Sequence, residues 1–282
     1  MIDLVGLART LVDIDSTTRR EQEAGAWLSR FLRDQGYAVT EQPVSDGRFN
    51  VYARLTDTPR LVFSTHYDCV PPFFPSREER GLLFGRGSCD AKGIAAAMIA
   101  AAGHLRAAGE RNVALLFVVG EERGSDGARV ANQAAPASVQ FLIDGEPTDS
   151  RLGLATRGLL RVRLHASGRA AHSSFPELGD SAIDKLLDAL MLVRGITLPD
   201  DPVLGRTHYT VSLIEGGVAP NVISPHASAE LSFRTVGDAA ALYAALVPVE
   251  SIVRIERVFD IPARSEEHTS ELQSRFGISY AV

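Results

Sequence analysis

Three short apolar runs, LVFST (61–65), VALLFVVG (113–120) and FLID (141–144), constrain the fold of this chain most. Separated by a helical stretch from Ala91 to Ala108, they predict an α/β half built on a largely parallel sheet covered on both faces. Each run also ends in histidine or acid: His66 and Asp68, then Glu121 and Glu122, then Asp144 and Glu146. A fourth group, Asp90, follows the glycine turn GRGSCD where a helix should begin. One strand-end His or Asp is more often a turn or capping residue. Four such sites are different, because an open α/β sheet gathers its ligand-binding groups beyond the carboxyl ends of its strands.

The spacing carries chemistry. In extended backbone, His66 and Asp68 share a face, so the Asp68 carboxylate is expected to accept from the second imidazole nitrogen and raise the ring's basicity as a metal ligand. Glu121 and Glu122 are adjacent and must diverge, which allows one to hold a metal while the other faces a bound water. Mixed nitrogen and oxygen donors suit zinc, with cobalt or manganese as substitutes.

Composition narrows the partners. With 29 basic against 35 acidic residues the chain carries a net charge of -6, which offers no basic field to a nucleic-acid backbone or an anionic membrane surface. Small solutes are the expected partners. The longest apolar region, Ile94 to Leu105, is interrupted by Gly103 and His104 and reads as a buried helix, too short to span a bilayer. The start MIDLVGLARTLVDIDS lacks the basic flank and unbroken apolar stretch of an export signal. Two cysteines, Cys69 and Cys89, make no disulfide framework and are expected to be small buried residues in a reducing cytoplasm.

From about residue 156 the pattern changes to strand (159–166), helix (181–194), strand (208–215), strand (227–234), helix (238–246) and strand (252–258). This β-α-β-β-α-β order is that of a split-βαβ domain, giving expected domains at 1–155 and 156–263. The remaining residues, 264–282, are set aside. RSEEHTSELQS is the in-frame translation of a common sequencing-library adapter, and ISYAV at 278–282 continues the same adapter, so this tail is read as artefactual.

Taken in order, STHYDCVPP, GRGSCDAKG, GEERGSDG, IDGEPT, GRAAHSS and GGVAPNVI resemble the M20 metallopeptidases and amidohydrolases over essentially all of residues 1–263. The resemblance implies a zinc-exopeptidase-like mixed-sheet catalytic domain with an inserted ferredoxin-like lid that dimerises. It implies two divalent metal ions: one bound by His66 and Glu146, the other by Glu122, with Asp90 bridging. Glu121 would be the general base, and His172 would reach a partner subunit's site to polarise the scissile carbonyl. Asn221 and Arg234 sit where the family holds a substrate carboxylate, although Asn221 also fits a turn and Arg234 a strand terminus. His104, His165, His208 and His226 match no ligand motif.

The leading expectation is hydrolysis of an N-acyl amino acid by metal-bound water. A metallo-exopeptidase or dipeptidase is the alternative, and a non-catalytic dimerisation module the reading from another class. The family pattern also supplies a further metal-binding histidine in a segment expected soon after Ala263; His268, inside the adapter translation, is not counted as that ligand. The chain as written is therefore expected to be truncated and to hydrolyse nothing efficiently.

Overall fold

The computed structural model describes residues 2–151, 153, 155–236 and 239–265. They form two compact units that divide at residue 155. The first contains α1 (Leu4–Val12), α2 (Gln22–Asp34), β1 (Ala38–Ser45), β2 (Arg48–Arg54) and β3 (Leu61–His66). It continues with α3 (Lys92–Ala107), β4 (Val113–Val118), a single 3-10 turn (Glu121–Arg123), α4 (Asp126–Gln133) and β5 (Phe141–Asp144). The five strands make one sheet in the order β1-β2-β4-β3-β5.

The three apolar runs form its parallel part, with β3 flanked by β4 and β5. The sheet is nonetheless mixed rather than largely parallel, because β1 and β2 form an antiparallel hairpin and β2 pairs antiparallel with β4. The half-exposed sequence AVTEQPVS conceals this hairpin from a search for apolar runs. Its visible signal is the Asp46-Gly47 pair. Both residues have positive φ, 42° and 78°, as a two-residue hairpin turn whose twist matches the strands requires. Along β4 the side chains alternate: Val113, Leu115 and Phe117 enter the main core with Leu11, Leu28, Leu32 and Ile99 from the helices. Ala114 enters a smaller cluster with Tyr52 and Val62 on the other face.

The second unit contains β6 (Gly158–Ser167), α5 (Ala182–Gly195), β7 (His208–Gly216), β8 (His226–Thr235), α6 (Ala239–Glu250) and β9 (Arg254–Ile261). All neighbours are antiparallel in the order β7-β8-β6-β9, the topology of a split-βαβ fold. Burial alternates strictly along β6, placing Leu160, Val162, Leu164 and Ala166 on one face. Against that face α5 lays Ala182, Leu186, Ala189 and Val193, spaced by four, three and four residues as one helical stripe demands. Ser181 caps α5 by accepting from the Asp184 N–H at 3.2 Å.

Most of the tail read as adapter-derived, residues 266–282, lies outside the described residues; Arg264 and Ser265 pair with Thr156 and Ala155. Among the described residues no helix is long and apolar enough to cross a membrane.

Candidate metal centre

The centre is built where the parallel strands end. Strand β3 finishes at His66, whose ring is only 1% exposed. Its Nδ1 lies 3.0 Å from the main-chain oxygen of Asp68, which can only accept, so Nδ1 donates. This fixes Nε2 as the nitrogen that faces Asp90 Oδ1 at 2.9 Å and Glu146 Oε1 at 3.8 Å. Asp90 arrives from the turn before α3, and Glu146 from the loop two residues after β5. That loop is tied back to β3 by Thr65 Oγ1 donating to the Gly145 carbonyl at 2.7 Å.

Asp68 departs from the sequence expectation. Its main chain, rather than its carboxylate, makes the 3.0 Å bond to the ring, and Oδ1 stands 3.4 Å from Nδ1. The strand ends before Asp68, so the period-two argument stops applying there. The fully buried carboxylate turns instead to two main-chain donors, accepting from Glu121 N at 3.1 Å and Glu122 N at 3.3 Å. One residue therefore serves both the histidine and the turn that carries the paired acids.

The electrostatics are those of crowded acids around one base. Burial opposes charge on His66, but the Asp68 and Asp90 carboxylates beside the two ring nitrogens and the charge of Glu146 outweigh it and raise its pKa to about 11. Burial lifts Glu146 to about 8; the His66 charge opposes that rise, while Glu121, Asp144 and Asp90 add to it. Glu122 is also pushed up, by burial and then by Asp90, whereas the bond to His66 holds Asp90 down. His66, Asp90 and Glu146 each offer one ligand atom, all within 4.8 Å of one another. An imidazole nitrogen and two carboxylate oxygens at that separation fit a divalent cation. Glu122 is not part of that group of three, although Asp90 and His66 are among the charges that shift it.

The 3-10 turn bearing Glu121 and Glu122 is held from below by β2, which sequence reasoning passed over. Asn50 and Arg48 both bond to residues flanking the turn. The available signal was a polar residue amid the apolar strand RFNVYAR. The cysteines differ from expectation in one respect: Cys69 is buried, but Cys89 is exposed.

In the second unit, His172 and Asn221 come together. The Asn221 carbonyl accepts from Ser173 N at 2.9 Å, and His172 bridges Val222. The exposed His172 ring accepts the Ser174 N–H at Nδ1, 3.1 Å away; a main-chain N–H can only donate, so in the neutral ring the proton sits on Nε2. Arg234 lies elsewhere, exposed near the far end of β8. Eight residues of extended strand separate it from His226, about 26 Å at roughly 3.3 Å per residue. His165, which matched no ligand motif, pairs with Glu256 at 2.6 Å.

The fold and site define an α/β scaffold with a histidine–carboxylate centre at its strand ends, followed in the same chain by a split-βαβ unit. The chain belongs to peptidase family M20/M25/M40, whose sequence profile matches residues 62–254. It is 36% identical over 269 residues to a probable carboxypeptidase of Aspergillus fumigatus, covering 82% of this chain and 61% of that protein. The share covered is also 61% for a peptidase M20 domain-containing protein of Schizosaccharomyces pombe, so the chain spans less than two thirds of these curated relatives. The fold is similar to that of a tripeptidase from Staphylococcus aureus, with a TM-score of 0.74 at 20% identity, covering 98% of this chain and 82% of that one. It is also similar to a dinuclear metal-binding peptidase of the M20 family from Bacillus subtilis, with a TM-score of 0.66 at 15% identity, covering 99% and 80%.

Proposed function

We propose that this chain is part of a metallo-exopeptidase that hydrolyses the peptide bond next to a free carboxylate. The observation that carries this reading is the convergence of His66, Asp90 and Glu146 beside a turn that presents two further acids on the Asp68 carboxylate. The carboxypeptidase and tripeptidase names of the relatives favour peptide substrates over the N-acyl amino acids that led the expectation from sequence.

In this reading His66 and Glu146 would hold one metal ion and Glu122 a second, with Asp90 available to both. The Bacillus relative's two metals and this donor set support a paired site, with zinc the best match and cobalt or manganese as alternatives. Such ions, when bound, lower the pKa of a water molecule and act as Lewis acids toward a carbonyl. Glu121 takes the proton from the attacking water and returns it to the leaving amine. His172 donates from Nε2 to the carbonyl oxygen as it gains negative charge, a role its Ser174 contact equips it for. Asn221 and Arg234 bind the substrate carboxylate. This reading includes a homodimer formed through the second unit, in which His172 reaches the partner copy's site. We place the protein in the cytoplasm, in keeping with two free thiols.

The test is a substrate panel on the chain extended with a relative's C-terminal segment to that relative's full length and loaded with zinc or cobalt, since the chain alone spans 61% of such a relative. Dipeptides and tripeptides with free C-termini should be cleaved in preference to N-acetyl and N-succinyl amino acids. Glu121→Gln should keep its metal and lose turnover. Metal loss in that variant, or preference for the acyl amino acids, would contradict this assignment.

A further inference from the structure

We propose that Asn50 is the positioning residue that sets the loop carrying Glu121 and Glu122, by stapling its entrance to its exit with one side-chain amide. Asn50 lies in the middle of β2, is fully buried, and is remote in sequence from every acid of the metal centre. Its Oδ1 accepts from Val119 N at 3.2 Å, the last residue before the loop. Its Nδ2 donates to the Gly127 carbonyl at 2.8 Å, in the first turn of α4 that follows the loop, and to Gln42 Oε1 at 3.1 Å. Gly127 N in turn donates to the Val119 carbonyl at 3.1 Å, so residues 119, 127 and 50 close a small ring beneath the loop.

This ring tolerates no side chain at position 127. A Cβ there would stand 2.3 Å from Val119 O and 2.5 Å from Asn50 Oδ1, so the close approach depends on glycine. The neighbouring tie comes from the same face of the same strand. Arg48, two residues before Asn50, donates to Asp126 Oδ2 at 2.8 Å, at the first residue of α4. At the top, the Asp68 carboxylate holds the N–H groups of Glu121 and Glu122. Between that crown and the base, the main chain passes through left-handed conformations at Gly120, Gly124 and Ser125, so its path is set by its ends. A buried amide that makes three hydrogen bonds, two of them to opposite ends of one loop, fixes that path. The assignment rests on the roles given above to Glu121 and Glu122, and extends them to a residue that touches neither.

The experiment compares Asn50→Ala and Asn50→Asp, the latter keeping an acceptor for Val119 N but offering no donor to Gly127 O. Gly127→Ala attacks the same ring from the other side, Gln42→Ala removes only the contact outside it, and Glu122→Gln is the ligand control. Amide hydrogen exchange and cobalt titration followed by visible absorption are read on each. The Asn50 and Gly127 variants should speed exchange across 119–127 relative to α3. They should also weaken one cobalt equivalent by about tenfold, as loss of a ligand-supporting contact does, while the other holds within about twofold. Gln42→Ala should do neither. Uniform acceleration of exchange, equal weakening of both cobalt steps, or no change would overturn the proposal and leave Asn50 a buried polar residue of the core. If Asn50→Ala fails to fold, Asn50→Asp and Gly127→Ala decide. If Glu122→Gln leaves both cobalt steps intact while the Asn50 variants still loosen the loop, the ligand role of Glu122 fails and the staple stands.

Discussion

Replacing Arg48 by methionine should cost the first unit about 3–5 kcal/mol, the range for breaking a buried ion pair from one side. Glu21 is fully buried and Arg48 only 10% exposed, and the guanidinium lies 3.0–3.1 Å from the Glu21 carboxylate. Both carboxylate oxygens are engaged. At 3 Å and an effective dielectric of about 20, two unit charges attract by roughly 5–6 kcal/mol. Methionine preserves much of the packed stem but leaves the Glu21 charge in place with no counterion. The Asp126 contact adds little, since that carboxylate is 38% exposed and screened by water. Trp27, the chain's single tryptophan, lies on α2 and reports unfolding of this unit by fluorescence in urea. The decisive comparison is the double variant Arg48→Met with Glu21→Gln, which removes the orphaned charge and should recover most of the loss. A cost below about 1 kcal/mol for Arg48→Met, or a double variant no more stable than the single one, would refute the view that Glu21 depends on this partner.

Metal uptake at pH 7 should release about one to two protons, because His66 in the metal-free protein titrates near 11 and Glu146 near 8 and both must give way to a cation. Calorimetry in two buffers of different ionisation enthalpy measures this; affinity should rise with pH, and zero release would contradict the donor assignment. By the same shift, the metal-free fold gains stability from His66 that is complete below its unfolded pKa of about 6.5 and lost as pH rises through 11. A thiol reagent should label Cys89 rapidly in the native protein and Cys69 only after denaturation, because burial also raises the Cys69 pKa. Phe233→Ala should cost the second unit about 3–5 kcal/mol in chemical denaturation, since the ring is fully buried and packs on Tyr209 with centroids 5.2 Å apart.

The elements that sequence exposed were those with an unambiguous period. The runs at 61–65, 113–120 and 141–144 became β3, β4 and β5, and the helix expected over 181–194 became α5. The hairpin β1–β2 was hidden because β1 is half exposed and carries Thr40, Glu41 and Gln42 among its residues, so composition argued against a strand. At the centre, the residue types at and beyond each strand end were legible and the contacts were not. His66 and Asp68 were found, but which Asp68 oxygen meets the ring depends on where β3 stops, a detail of one residue. Asn50 and Arg48 escaped because their partners lie 77 and 78 positions away, at Gly127 and Asp126, a separation that no local pattern encodes.

The Asp46-Gly47 turn has a reach that its surface position conceals. Together with the irregularity between Pro43 and Ser45, it sets the alignment in which Gln42 faces Asn50 and Pro43 faces Phe49, and therefore which side chain of β1 reaches the Asn50 amide. Because β2 is held in register by β4, inserting or deleting one residue there would exchange odd for even positions along the edge strand β1 and turn Gln42 away from the Asn50 amide. Length changes at a hairpin tip are ordinarily among the most tolerated in a protein. Here the tip behaves as an index mark for the strand that backs Asn50, and natural variation at this turn should change its residues freely while preserving its count of two.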